Sequence, residues 1–170
     1  MPPMSAAETT HQNGVAEYLR RLAALYSEAE GWLQDAGFSC LREETGLNEE
    51  VGGHYTAPRL LIRTSQGRRV AELEPVGAHV VGAYGRVDLR GAFDRIPIVY
   101  LVKGGPAVRT RISAGSAATD ERVTPLFRGV NCDGWYSLER EEPSRARRID
   151  THHFIELVRR VSEHALQERP

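Results

Sequence analysis

The residues best suited to do chemistry lie mid-chain, in Gly85-Arg86-Val87-Asp88-Leu89 and at the end of the apolar run that follows, where Lys103 stands. An Asp on one strand and a Lys at the end of the next could flank a divalent cation beside a phosphate. Mg²⁺ and Mn²⁺ take hard oxygen ligands, and lysine supplies a compact positive charge. Glu72, Glu74 and Asp94 are the carboxylates available to complete such a set. Other chemistries find less. Cys40 and Cys132 lack the paired spacing of a zinc site and read as buried thiols. His54 falls in a loop and His79 in a strand, while His152 and His153 are adjacent on the last helix. Adjacent helical residues diverge by about 100°, so this pair is not the i, i+4 arrangement of a helical zinc motif. No Gly-x-Ser-x-Gly elbow occurs, and the glycines at 82, 85, 104 and 105 lack the spacing of a phosphate-cradling loop.

Residues 85–103 resemble, in outline, the core of the PD-(D/E)xK nuclease superfamily. There an Asp at the start of a hairpin and a Glu-x-Lys on the next strand hold a divalent metal beside the scissile phosphate. The resemblance implies a nuclease or phosphodiesterase with Asp88 as metal ligand, Lys103 as its lysine, and Mg or Mn as cofactor. Where the superfamily carries its Glu, this sequence has Leu101, so Glu72, Glu74 or Asp94 would have to serve. A simpler reading competes with it. Under period-two alternation Glu72 and Glu74 share one face, Arg86, Asp88 and Arg90 share a face of a neighbouring strand, and the charges form cross-strand ion pairs. That reading is preferred; it expects no catalytic residue, metal or cofactor, and it leans away from an enzyme.

The remaining constellation is Arg128, Trp135 and Tyr136, with Arg145, Arg147 and Arg148 just beyond. Aromatics beside arginines can anchor a protein interface or stack bases, and the competing reading is a core aromatic with a solvated arginine run outside it. These three residues are the preferred binding surface. The formal net charge of −1 argues against a generic nucleic-acid surface, so another protein is the expected partner. The function expected is a non-catalytic protein-binding or accessory module of a multiprotein system.

Two amphipathic helices and a run of strands must position these residues. Residues 1–11 read as a flexible tail and 12–168 as one domain. From Val15 the apolar positions Tyr18, Leu22, Leu25, Ala29, Trp32 and Ala36 recur every seven residues, widened by Leu19, Tyr26 and Leu33, and Gly37 ends the helix. Residues 15–36 also offer a homodimer surface, although so broad a stripe suits packing on the domain's own sheet better. Phe38 to Leu41 reads as a short strand running into a loop or twisted edge at 42–53. Arg59 to Thr64 and Arg68 to Glu74 form a hairpin about Gly67, and two Gly-interrupted strands cover 76–84 and 85–90. Ile96 to Val102 is apolar enough for a central strand, and Ser113 to Thr124 reads as a connection. A type I′ hairpin is expected at Asp133-Gly134 between 127–132 and 135–140, then a surface connection and a helix capped by Asp150 or Thr151. Helix, strands, helix without interposed crossovers is an α+β order, with a mostly antiparallel sheet of five to seven strands. A chain of 170 residues, 41% hydrophobic and 26% charged, buries roughly 70% of its unfolded surface as one globular domain. It shows neither a signal-like start nor an apolar run of about 20 residues, so no membrane association and a cytoplasmic location are expected.

Overall fold

The seven-residue apolar repeat becomes helix α1 (Ala6–Asp35) in the computed structural model, which describes residues 6–114, 117–139 and 144–167. Tyr18, Leu22, Leu25, Tyr26, Ala29 and Leu33 are buried, so the stripe is consumed by the chain's own sheet. Each large apolar side chain so enclosed contributes about 1.5–3 kcal/mol. The helix begins earlier than expected. Residues 6–11 are helical rather than a tail, because Ala6, Ala7 and Glu8 favour the helix and a formed helix extends at one hydrogen bond per residue. It ends where Gly37 takes φ +87° and donates its N–H to Gln34 O at 3.1 Å.

Among the described residues nine strands follow: β1 (Phe38–Glu49), β2 (Gly53–Thr64), β3 (Arg69–Gly77), β4 (Arg86–Arg90), β5 (Arg95–Leu101), β6 (Ala107–Ala114), β7 (Ala117–Pro125), β8 (Gly134–Leu138) and β9 (Ala146–Arg148). Seven make one antiparallel sheet in the order β1-β2-β3-β4-β5-β8-β9, while β6 and β7 pair with each other as a separate two-stranded sheet. Helix α2 (Thr151–Gln167) joins α1 on the sheet. Its first turn is capped by Asp150, whose Oδ1 accepts the His153 N–H at 2.8 Å, and Phe154, Leu157, Val158 and Val161 are buried. The fold is thus α+β, with an N-terminal and a C-terminal helix on a mostly antiparallel sheet. Among the described residues no helix is long and apolar enough to cross a membrane.

Four local expectations are decided by pairing or by contacts with distant groups, the first in favour of its edge alternative over the loop. The stretch 42–49 is the second half of edge strand β1, held by Glu43 against Arg59 across the β1–β2 ladder and by Arg42 against Glu30 of α1. Residues 78–85 are not a strand. The half-buried Glu49 carboxylate accepts the Ala78 N–H at 3.1 Å, the His79 N–H at 2.8 Å and the Tyr55 hydroxyl, which pulls the chain off the ladder. Burial raises the Glu49 pKa, but these donors and nearby His79 more than offset it and hold the carboxyl below its ordinary range. Gly85, at φ +136°, then lets the backbone pass against the Tyr18 ring and start β4. Third, most of the expected connection at 113–124 is strand β7.

The fourth is the Asp133-Gly134 hairpin, which does not form. Strand β8 pairs with β5 on one side and β9 on the other, so no ladder edge is left for residues 127–132. That segment crosses the sheet face opposite the helices, where Val130 joins Val99, Leu101, Tyr136 and Ala146 in a second small core. Tyr136 donates its hydroxyl to Cys132 O at 2.8 Å, and Asp133 Oδ1 accepts the Lys103 N–H at 2.8 Å. Of the expected surface connection at 141–148, residues 144–148 are described, and Ala146–Arg148 form β9.

Candidate functional site

Alternation along β3, β4 and β5 puts leucine, valine and isoleucine against the helices and charges on the opposite face. In register, Glu74 lies opposite Asp88, Glu72 opposite Arg90, and Arg90 opposite Arg95. Two carboxylates side by side repel, and arginines resolve the conflict. Arg86 grips Asp88 with two parallel bonds, Nε to Oδ1 at 2.7 Å and Nη2 to Oδ2 at 3.0 Å. Arg95 spans both acids, reaching Asp88 at 3.5 Å and Glu74 at 3.4 Å, and Arg90 reaches Glu74 at 3.5 Å. Glu72 is buried against Arg69 at 2.5 Å. Asp88 itself is fully buried, its oxygens already occupied by guanidinium groups.

Of the residues that could hold a metal, the fold brings together Asp88 and Glu74, with Glu72 one step along the same face. Lys103 is elsewhere. Asp88 pairs with Pro97, and Lys103 is six residues further on, roughly 20 Å along an extended chain, in the turn after β5. Asp94 Oδ1 accepts the Arg95 N–H at 2.8 Å within its own turn. Among the described residues, no three His, Cys, Asp or Glu side chains gather as a metal set. Cys40 is half-buried, its thiol pushed up to about 11 mainly by burial, and Cys132 is half-buried beside the Tyr136 hydroxyl. The Cys40 thiol is therefore not a poised nucleophile.

One pair has the look of catalytic machinery. Ser137 Oγ lies 2.7 Å from His153 Nε2, and Glu156 lies 3.8 Å from Nδ1. Both Ser137 and His153 are buried beneath α2, however, so a substrate has no approach, and the pair fastens α2 to β8. Burial, and then Arg147, lower the His153 pKa, while Glu139, Glu156 and Asp150 oppose them. The folded state therefore keeps this imidazole neutral where an unfolded chain protonates it. Stability from this group is complete above the ordinary value of 6.5 and falls as pH drops below it, by at most about 1.4 kcal/mol per pH unit. Denaturant melts at pH 7.5 and 5.5 check this: His153→Gln is expected to flatten the difference, and an unchanged slope would refute it.

Of the expected binding residues, Trp135 and Tyr136 are buried on opposite faces of β8 and Arg128 is exposed, so the three do not share a surface. Trp135 nevertheless reaches a groove. It sits beside Tyr100 across the β5–β8 ladder, rings 5.4 Å apart and perpendicular, and with Trp32 of α1 lines a cavity of about 210 Å³ between α1 and the sheet. Arg20, Arg21 and Arg148 rim it, with Glu28 the acidic group among them. The Arg21 guanidinium lies 4.1 Å over the Tyr100 ring and reaches Tyr84 O at 3.4 Å.

Beyond Arg21 the surface turns apolar. Tyr84 is 57% exposed and Val81 fully exposed on the 78–85 loop, and Ala83, Tyr84 and Pro106 line a second depression of about 300 Å³. Sequence reasoning missed Arg20, Arg21, Trp32, Tyr100, Val81 and Tyr84. Only the adjacency of Arg20 and Arg21 to the apolar stripe was visible. No local pattern joins residue 21 to residues 84, 100 and 135. No protein-family model matches the chain, and no curated protein or solved structure does, so its chemistry is read from its own residues.

Proposed function

We propose that this protein is a non-catalytic protein-binding module of a multiprotein system, which docks its partner on the surface running from the Trp32–Tyr100–Trp135 groove to the Val81–Tyr84 ledge. The observation that carries this reading is the exposed pair Val81 and Tyr84, continuous through Arg21 with an aromatic-floored groove. Isolated exposed apolar residues are ordinary. An exposed valine and tyrosine on a loop anchored by the Glu49 carboxylate, next to a depression, have the make-up of an interface anchor. The metal-dependent nuclease reading has no such support, since the Asp88 oxygens are committed to Arg86 and Arg95.

Val81→Asp and Tyr84→Ser replace exposed side chains, so both variants are expected to fold with wild-type stability within about 0.5 kcal/mol. Quantitative affinity capture from the native cell should then recover at least tenfold less of the main co-purifying protein with either variant. Equal recovery with wild type and both variants would remove the ledge as the docking site.

A further inference from the structure

We propose that the β6–β7 ribbon is a DNA-binding arm that enters the major groove of duplex DNA, a function beyond protein docking at the ledge and independent of it. The net charge of −1 conceals an uneven division. Residues 103–128 carry five cations, Lys103, Arg109, Arg111, Arg122 and Arg128, against Asp120 and Glu121, whereas the other 144 residues carry 17 cations against 21 acids. Positive charge is therefore concentrated on the ribbon and its two feet, where a polyanion meets an attraction that the rest of the surface does not offer. Little of it is spent internally. Arg109 reaches Glu121 only at 3.9 Å, with both side chains exposed, and two acids leave three of the five cations uncompensated.

The shape of the ribbon selects the ligand. Its strands, of eight and nine residues, run for about 26 Å at about 3.3 Å per residue, and their axes lie about 5 Å apart. The feet are tied together where Leu126 donates its N–H to Pro106 O at 2.8 Å, and residues 107–111 and 121–126 are all exposed. Two strands solvated on both faces are marginal in water, so a ligand lying along them supplies the order that their own domain does not. Alternation and register place Arg109, Arg111, Glu121 and Val123 on one face and Val108, Thr110, Arg122 and Thr124 on the other. Arginines on both faces suit a cleft with anionic walls on either side; a flat acidic surface engages one face alone. The major groove of B-DNA, about 12 Å wide, admits such a ribbon between its two phosphate backbones, and the minor groove, about 6 Å wide, does not. The deep, narrow major groove of A-form RNA is closed to side chains. Within the DNA groove the arginines and threonines serve phosphates, and Val108 and Val123 serve thymine methyl groups.

Fluorescence anisotropy of a labelled 20-base-pair DNA duplex, titrated with the full chain, tests this. Saturable binding is expected in 50 mM salt and should weaken at least tenfold in 200 mM, because each phosphate contact releases a counterion. The double variant Arg109→Ala with Arg111→Ala should bind at least tenfold more weakly and lower the salt slope by about two. Arg68→Ala is the control, since it removes an exposed arginine from the β2–β3 turn and should bind as wild type does. If the double variant melts early, Arg122→Glu, a single exposed change on the other face of the ribbon, carries the same expectation of weakened binding. No saturable binding, an affinity indifferent to salt, wild-type binding by the ribbon variants, or an equal loss in Arg68→Ala would each overturn the DNA arm. Tighter binding of a polyglutamate peptide would overturn it in favour of an acidic protein, and tighter binding of the same sequence as an RNA duplex would exclude the major groove.

Discussion

Gly91→Ala is expected to unseat α2 and cost about 3 kcal/mol, a fall in Tm of roughly 6–12 °C. A Cβ built at Gly91 would lie 2.0 Å from the backbone carbonyl oxygen of Val161, well inside contact distance. A flexible side chain could swing aside, but a helix backbone moves only as a unit. Moving it disturbs Phe154, Leu157 and Val158 in the core and the Ser137–His153 contact with β8. Gly31→Ala is the control. Nothing lies within 4 Å of a Cβ there, and the position is inside α1, so the same chemical change should stabilise by about 0.5–1 kcal/mol. Thermal and denaturant unfolding of the two variants measures the contrast, and a Gly91→Ala protein as stable as wild type would mean that the close approach of α2 to the β4–β5 turn is wrong.

Asp88→Ala is expected to cost about 2–4 kcal/mol, somewhat under the penalty for breaking a fully buried ion pair because Arg86 and Arg95 are partly solvated. The loss strands the Arg86 guanidinium, which burial already disfavours, and leaves Arg95 with Glu74 alone. The double variant Asp88→Leu with Arg86→Met separates a structural role from ligation. Removing both charges leaves nothing unpaired, so much of the lost stability should return. A residue kept to hold Mg²⁺ or Mn²⁺ would behave differently: Asp88→Ala would stabilise the metal-free protein by relieving repulsion with Glu74, and it would abolish any stabilisation by added metal. That outcome in paired melts with and without Mg²⁺ would restore the nuclease reading and displace the ion-pair account.

The charged face was legible in outline. Alternation placed Glu72, Glu74, Arg86, Asp88 and Arg90 on one side of neighbouring strands, and the register joins them as expected. Arg95, which spans both acids, was hidden, because the turn that returns β5 alongside β4 decides its position. Trp135 and Tyr136 show the opposite failure. Their chemistry was conspicuous, but adjacent strand residues point to opposite faces, so they cannot form one surface.

What the amino-acid order determined alone was whatever depends on near neighbours. The α1 stripe, the Gly37 stop, the Asp150 cap, the hairpin at Gly67 and the α+β order follow from periodicity, from φ preference and from hydrogen bonds spanning a few residues. Tertiary structure decided wherever a distant group outcompeted a local preference. Asp133-Gly134 favours a tight turn, but β5 and β9 take both edges of β8, and a ladder on each side outweighs one turn's propensity. Residues 78–85 carry strand-forming valines, but the Glu49 carboxylate, some thirty positions away, captures their amides. The groove belongs wholly to this second kind. It exists because α1, β5 and β8 come together, and residues 20, 21, 32, 100, 135 and 148 share no pattern until they do.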